Sequence, residues 1–188
     1  MPRAGLSETR VVEEAEHLTD EGAPLTLVEL ARRLGVQVPS LYKHVAGADA
    51  LNRLVSVRAK NELADILARA TVGKARDEAV GAVAVAYRDW AMQHPGRYAM
   101  TLRAPEPDDD EDQDASGRAV QVVFDALAGY GLSGDDAIDA TRFVRSTLHG
   151  FIAIDAAGGF ALPALDRSFL TIVAALRLAL GNWASLTI

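Results

Sequence analysis

Nowhere in its 188 residues does this chain sustain the period-two alternation of a half-buried strand, while apolar residues recur at three- and four-residue spacing almost throughout. The spacing therefore predicts an all-helical fold. With 49% hydrophobic residues the chain can bury a core, and its length suits one large domain or a small one fused to a larger one.

Local signals divide the helices. Ser7 can cap a first helix with Val11, Ala15 and Leu18 on its inner stripe, ending at Gly22. Thr26 to Glu29 has the form of a capping box, opening a short second helix that Gly35 stops after Leu34. Pro39 fits the first turn of a third helix running to about His44. A long connecting helix follows over about 48–70. Beyond Lys74, one helix runs through Gln93, breaks at His94-Pro95-Gly96 and resumes through Tyr98 and Leu102. Residues 105–117 (PEPDDDEDQDASG) read as a charged loop, and further helices are expected over 118–128, 135–157 and 165–180. The domain division expected is 1–50 and 51–188.

Several chemistries find no support. Without cysteine there are no disulfides, thiolate metal sites or Cys nucleophiles, which suits a cytoplasmic protein. No secretory signal is visible at the start, and the most apolar run, Phe169 to Leu180, is broken by Arg177 and too short to span a membrane. Gly129 to Gly134 satisfies G-x-G-x-x-G, but a helix precedes it where a dinucleotide site needs a strand. The acidic run from Asp108 lacks EF-hand spacing, the four histidines show no ligand spacing, and there is no nucleophile elbow. The chain is read as neither an enzyme nor a cofactor protein.

Charge is uneven. The chain carries 19 Lys and Arg against 26 Asp and Glu, yet residues 24–60 hold Arg32, Arg33, Lys43, Arg53, Arg58 and Lys60 against only Glu29 and Asp49. In this basic stretch two short helices meet at a Gly-containing turn, the pattern of a helix-turn-helix whose second helix enters the major groove. Leu30, Ala31, Leu34, Val36, Leu41 and Val45 have the spacing to pack inward, leaving Gln37, Ser40, Lys43 and His44 outward. Geometry alone admits an ordinary helical hairpin equally well, and the local charge favours DNA.

The stretch LTLVELARRLGVQVPSLYKHV resembles the N-terminal domain of the TetR family of bacterial transcriptional regulators over about residues 7–54. WAMQHPGRYAM with RSTLHGFIAIDAAGGFALP is similar to the C-terminal type named for its Trp, His and Gly. The resemblance implies a dimeric, ligand-responsive regulator of operator DNA, a repressor that a small, mostly hydrophobic effector releases. It implies phosphate contacts from Thr26, Tyr42 and His44, while Gln37, Ser40 and Lys43 are the candidates for base edges. Where the family often has a Lys after the recognition helix, this chain has Ala48 and Asp49. The alternative is a helical ligand- or partner-binding module whose DNA-binding domain no longer functions.

In the second half, Tyr87, Trp90 and His94 share a helix face with Tyr98 just beyond, and Arg142, Arg145 and His149 form a polar stripe on another helix. Such cations must meet carboxylates such as Asp89 or Asp139, reach solvent, or line a ligand cavity. The expected effector site comprises Tyr87, Trp90, His94, Tyr98, Phe143, Arg145, Thr147, His149 and Phe151. Segments 138–155 and 169–180 are apolar nearly all round, which leaves a second face for an isologous dimer contact.

Overall fold

The computed structural model describes residues 5–161 and 163–186, and among these no residue is in a strand. The helices are α1 (Glu8–Asp20), α2 (Leu27–Leu34), α3 (Val38–Leu41), α4 (Ala48–Thr71), α5 (Arg76–Gln93), α6 (Pro95–Met100), α7 (Asp110–Ala128), α8 (Gly134–Ala156) and α9 (Leu165–Gly181), with a 3-10 turn at Trp183–Ser185. The residues fall into two compact units, one of residues 5–61 and 93–116 and one built from the rest.

In the first unit the expected helix ends are those the local chemistry makes. Ser7 Oγ accepts from the Arg10 amide at 3.3 Å and Thr26 Oγ1 from the Glu29 amide at 3.2 Å, each satisfying an orphan donor of a first turn. Gly35 ends α2 with φ 67°, a left-handed conformation that glycine adopts without steric penalty. The capping box is only half made: the Glu29 carboxylate turns to Arg32 at 2.6 and 2.8 Å, and the Thr26 amide donates to Pro24 O. Regular helix in α3 stops at Leu41, shorter than expected, but Val45 N still donates to Leu41 O at 3.0 Å, so a turn carries the chain through His44.

Val11, Val12, Ala15 and Leu18 of α1 form one core with Leu30, Ala31, Leu41, Val45, Leu51 and Val55. Full burial of each large side chain contributes about 1.5–3 kcal/mol, which is what orders helices too short to persist alone. Helix α6 packs on α1 so closely that a Cβ on Gly96 would lie 1.9 Å from the Thr19 carbonyl oxygen. Gly96→Ala should therefore lose about 1–3 kcal/mol in urea unfolding. Gly150→Ala, in α8 with open space around its Cβ, should gain about 0.5–1 kcal/mol.

The expected acidic loop is the largest departure. Only its first part is non-helical; α7 begins at Asp110 and absorbs the remaining acidic residues. Asp109 caps that end by accepting from the Asp112 amide at 3.1 Å, and Asp110, Glu111 and Asp112 fill the first turn, where the helix dipole favours negative charge. Two cations of α4 complete it. Arg53 grips Asp109 with two bonds of 2.5 Å and reaches Glu111 at 2.8 Å, while buried Lys60 meets Asp112 at 2.6 Å.

In the second unit the interiors of α5, α8 and α9 supply Val80, Val83, Ala84, Val144, Leu148, Ile152, Val173, Leu176 and Leu180 as buried residues. Arg88 of α5 reaches Asp155 of α8 at 3.2 Å and Asp166 of α9 at 2.8 Å, with its guanidinium 4.8 Å from the Phe169 ring centre. GYGLSG is the turn between α7 and α8, with Gly131 at φ 77° and no strand before it.

Candidate nucleic-acid interface

Burial sorts the helix-turn-helix into an inner and an outer face. Leu30, Ala31, Leu41 and Val45 are buried, and Leu34 and Val36 pack partly buried against the same core. With these fixed inward, Gln37, Tyr42 and Lys43 are exposed, and Ser40 and His44 are half-buried. Tyr42 is 58% exposed, unusual for an aromatic residue on a well-packed module. Gln37 occupies the N-cap position of α3 but makes no capping bond there. Thr26 is exposed at the start of α2, its hydroxyl accepting the bond from Glu29 N.

Val28, 71% exposed one residue into α2, belongs with this set and was not among the residues the sequence suggested. The signal was present: it lies off the inward stripe of Leu27, Leu30, Ala31 and Leu34. A side chain of this kind can make apolar contact with thymine methyls.

Electrostatically, the basic stretch is not what its count implied. Arg32 is paired with Glu29; Arg33 with Glu14, Glu21 and Glu29; Arg53 with Asp109 and Glu111; Arg58 with Glu16; and Lys60 with Asp112. The hydrogen bond from Arg32, with Arg33 beside it, holds the Glu29 carboxyl down to about 2, so this partner stays ionised. Of the six basic residues only Lys43 has no ion pair among the described residues. Over 1–61 and 93–116 the sequence carries ten basic and fifteen acidic residues, net −5.

The residues expected around an effector belong to both units. His94 and Tyr98 belong to the first unit, where His94 Nδ1 lies 3.0 Å from Asp20 and Arg97 binds the same carboxylate through its backbone amide at 2.9 Å and Nε at 2.7 Å. The others lie in the second unit. Tyr87, Trp90 and Phe151 are buried, Phe143 lies 5.8 Å from Trp183, Thr147 and His149 are half-buried, and Arg145 is exposed. Arg142 pairs with Asp139 at 3.0 Å on the solvent side, so this part of the polar stripe is a solvated helix face. Phe151 lines an open groove of about 700 Å³ with Phe160, Pro163, Leu165 and Ile172 at the α8–α9 turn, and its ring stacks against those of Phe160 at 4.9 Å and Phe169 at 5.4 Å.

Among the described residues no group of His, Asp and Glu is placed to hold a metal, and no helix is long and apolar enough to cross a membrane.

A buried two-helix turn with an outward second element is the layout of a helix-turn-helix DNA-binding module. Residues 80–176 match the family described as the tetracyclin repressor-like C-terminal domain. The chain is 39% identical over 181 residues to the HTH-type transcriptional regulator Rv0681 of Mycobacterium tuberculosis, covering 95% of this chain and 82% of that one. It is 33% identical over 162 residues to the regulator YobS of Bacillus subtilis, covering 85% and 84%. In fold it resembles a TetR protein of Acinetobacter baumannii crystallised with minocycline, at a TM-score of 0.68 and 20% identity, over 97% of this chain and 98% of that one. The chain belongs to the TetR family of DNA-binding transcriptional regulators.

Proposed function

We propose that the protein is a homodimeric repressor, released from its operator when a small, mostly apolar effector binds its C-terminal half. The observation that carries the reading is the outward row Gln37, Ser40, Tyr42, Lys43 and His44, presented while Leu41 and Val45 anchor the element from behind. Lys43, Ser40 and Gln37 read base edges, and Thr26, Tyr42 and His44 position the phosphates.

One helix in one groove offers few base contacts, so specificity needs two half-sites and two copies. The outer face of α9 supports this: Leu178 is 70% and Leu170 59% exposed, and Ala174 between them is exposed too. With Ile154 exposed on α8 they supply an apolar surface for an isologous contact. Leu178→Glu should give a monomer by sedimentation at micromolar concentration and lose operator binding. A variant that remains dimeric would remove α9 from the interface.

The effector would lie against the aromatic residues of the second unit, among Tyr87, Trp90, Phe143, Thr147, His149 and Phe151. A coupling of only about 2.7 kcal/mol between effector and DNA suffices for a 100-fold loss of DNA affinity. The proposal is tested by band shift on the DNA upstream of the protein's own coding region, with and without small aromatic molecules. A shift that no molecule reverses would leave the DNA-binding half of the reading and remove the effector half.

A second reading, a ligand- or partner-binding module whose DNA domain is silent, is favoured by one observation: the net charge of −5 with five of six local cations already paired. Failure to bind any duplex at low salt would select it.

A further inference from the structure

The turn between α8 and α9 is held more firmly than a surface connection requires. Asp155 near the end of α8 and Asp166 at the start of α9 both accept from Arg88 of α5, at 3.2 and 2.8 Å, so one guanidinium fixes the two ends of the turn. The same group stands 4.8 Å from the Phe169 ring centre and 5.7 Å from that of Phe151. Within the turn Gly158 has φ 69°, a Cβ on Gly159 would lie 2.7 Å from Ile154 Cγ2, and Ala164, the N-cap residue of α9, has φ 70°. A left-handed alanine is disfavoured by its own Cβ, and strain of this kind persists where the surroundings impose it, characteristically at ligand-binding sites.

What the turn borders is the open groove of about 700 Å³, a volume within the range of sites for small organic molecules. Its wall is aromatic: Phe160, 38% exposed, lies 4.9 Å from Phe151, whose ring lies 5.4 Å from that of buried Phe169. Arg167 is the one charged side chain among the described residues that line it, and it is exposed. Its guanidinium has no hydrogen-bond or ion-pair partner among the described residues, since the neighbouring carboxylate, Asp166, is turned to Arg88. The Ser168 and Thr171 hydroxyls on the same rim donate to the Ala164 and Arg167 carbonyl oxygens, at 3.5 and 2.9 Å. Arg167 is therefore the side chain of this lining with donors left to offer.

We infer that the groove at the α8–α9 turn binds a small aromatic carboxylate, its rings against Phe160 and Phe151 and its carboxylate on the Arg167 guanidinium. Guanidinium and carboxylate match in a two-bond fork, and the aromatic wall favours a flat partner in offset or edge-to-face contact. A neutral aromatic molecule would cover the wall and leave Arg167 unmatched; an aliphatic ion such as acetate would match Arg167 and leave the wall wet. The groove shares only Phe151 with the effector residues proposed above. The inference deepens the effector half of that reading and rests on it only for the consequence at DNA, while the binding itself is measured without DNA.

The test is calorimetric titration of the full chain with naphthoate, its neutral amide naphthamide, and acetate, at constant ionic strength. Naphthoate should bind saturably, naphthamide at least about fivefold more weakly, and acetate without saturation. Arg167→Gln should bind the acid and the amide alike, and Ser168→Trp, which fills the groove, should bind neither. Both positions are exposed, so both variants should keep the wild-type unfolding midpoint. Arg142→Gln, outside the groove, should bind as the wild type does. No saturable binding of naphthoate, equal affinity of the wild type for acid and amide, or undiminished binding in Arg167→Gln or Ser168→Trp would each overturn the proposal. Binding by Leu178→Glu as a monomer but not by the wild type would assign the groove to a second copy and overturn it too. A band shift reads the effector role separately: naphthoate that binds but does not release DNA supports the site and removes that role.

Discussion

Lys60→Met should destabilise the protein by about 3–5 kcal/mol. Lys60 is 3% exposed and its ammonium lies 2.6 Å from Asp112 Oδ1, so the substitution strands a carboxylate away from water. The cost belongs to the charge left behind, not to the strength of the pair. The double variant Lys60→Met with Asp112→Leu should accordingly recover most of the loss. Arg142→Met is the contrast: it and its partner Asp139 both lie largely in solvent, and its removal should cost about 0–1 kcal/mol. Urea unfolding of the four proteins measures the differences. A Lys60→Met loss no larger than that of Arg142→Met would mean that Asp112 finds water or another donor when its partner is removed.

The same pair shows where sequence reasoning stops. Helix ends were legible because their causes are local: Ser7, Thr26 and Gly35 act on backbone groups within four residues. The inner stripe of the helix-turn-helix was legible because its period is that of a helix, and so the outward row from Gln37 to His44 was legible by subtraction. The start of α7 was not. A run rich in aspartate reads as solvated loop until Arg53 and Lys60, 56 and 52 residues away, are known to face Asp109 and Asp112. For the same reason the basic count of residues 24–60 overstated the charge offered to a partner, since Arg53, Arg58 and Lys60 are neutralised by residues distant in sequence. The aromatic stripe of α5 was visible as a periodicity, but Trp90 and Tyr87 are buried while His94 and Tyr98 are held in the other unit, and no helical wheel encodes that division.

The paired cations lead to the second large effect. Counterion release follows the number of phosphates neutralised by free cations, with log K falling by about 0.9 per phosphate for each unit of log salt. Lys43 is the one basic residue of residues 24–60 without an ion pair among the described residues, and neutral donors such as the proposed phosphate contacts Thr26 and Tyr42 would release no counterions. Operator affinity should therefore depend on salt with an unusually shallow slope, near −2 for a dimer if each Lys43 neutralises one phosphate. Lys43→Ala then distinguishes two roles. If Lys43 reads a guanine, affinity for the selected site falls by about 1–3 kcal/mol per half-site and discrimination at one base pair relaxes. If it binds phosphate, affinity falls on all duplexes alike and the slope moves by about one per subunit. Tyr42→Phe should weaken all duplexes equally.

The central claim is that the turn from Gln37 to His44 reads DNA, and selection of duplexes from a random pool by the full-length protein, followed by anisotropy titration of wild type and Lys43→Ala, tests it most directly. The account predicts enrichment of a two-fold symmetric site, saturable binding by the wild type, and weakened binding by Lys43→Ala. Failure to enrich any sequence, or equal affinity of the two proteins for an enriched one, would contradict it.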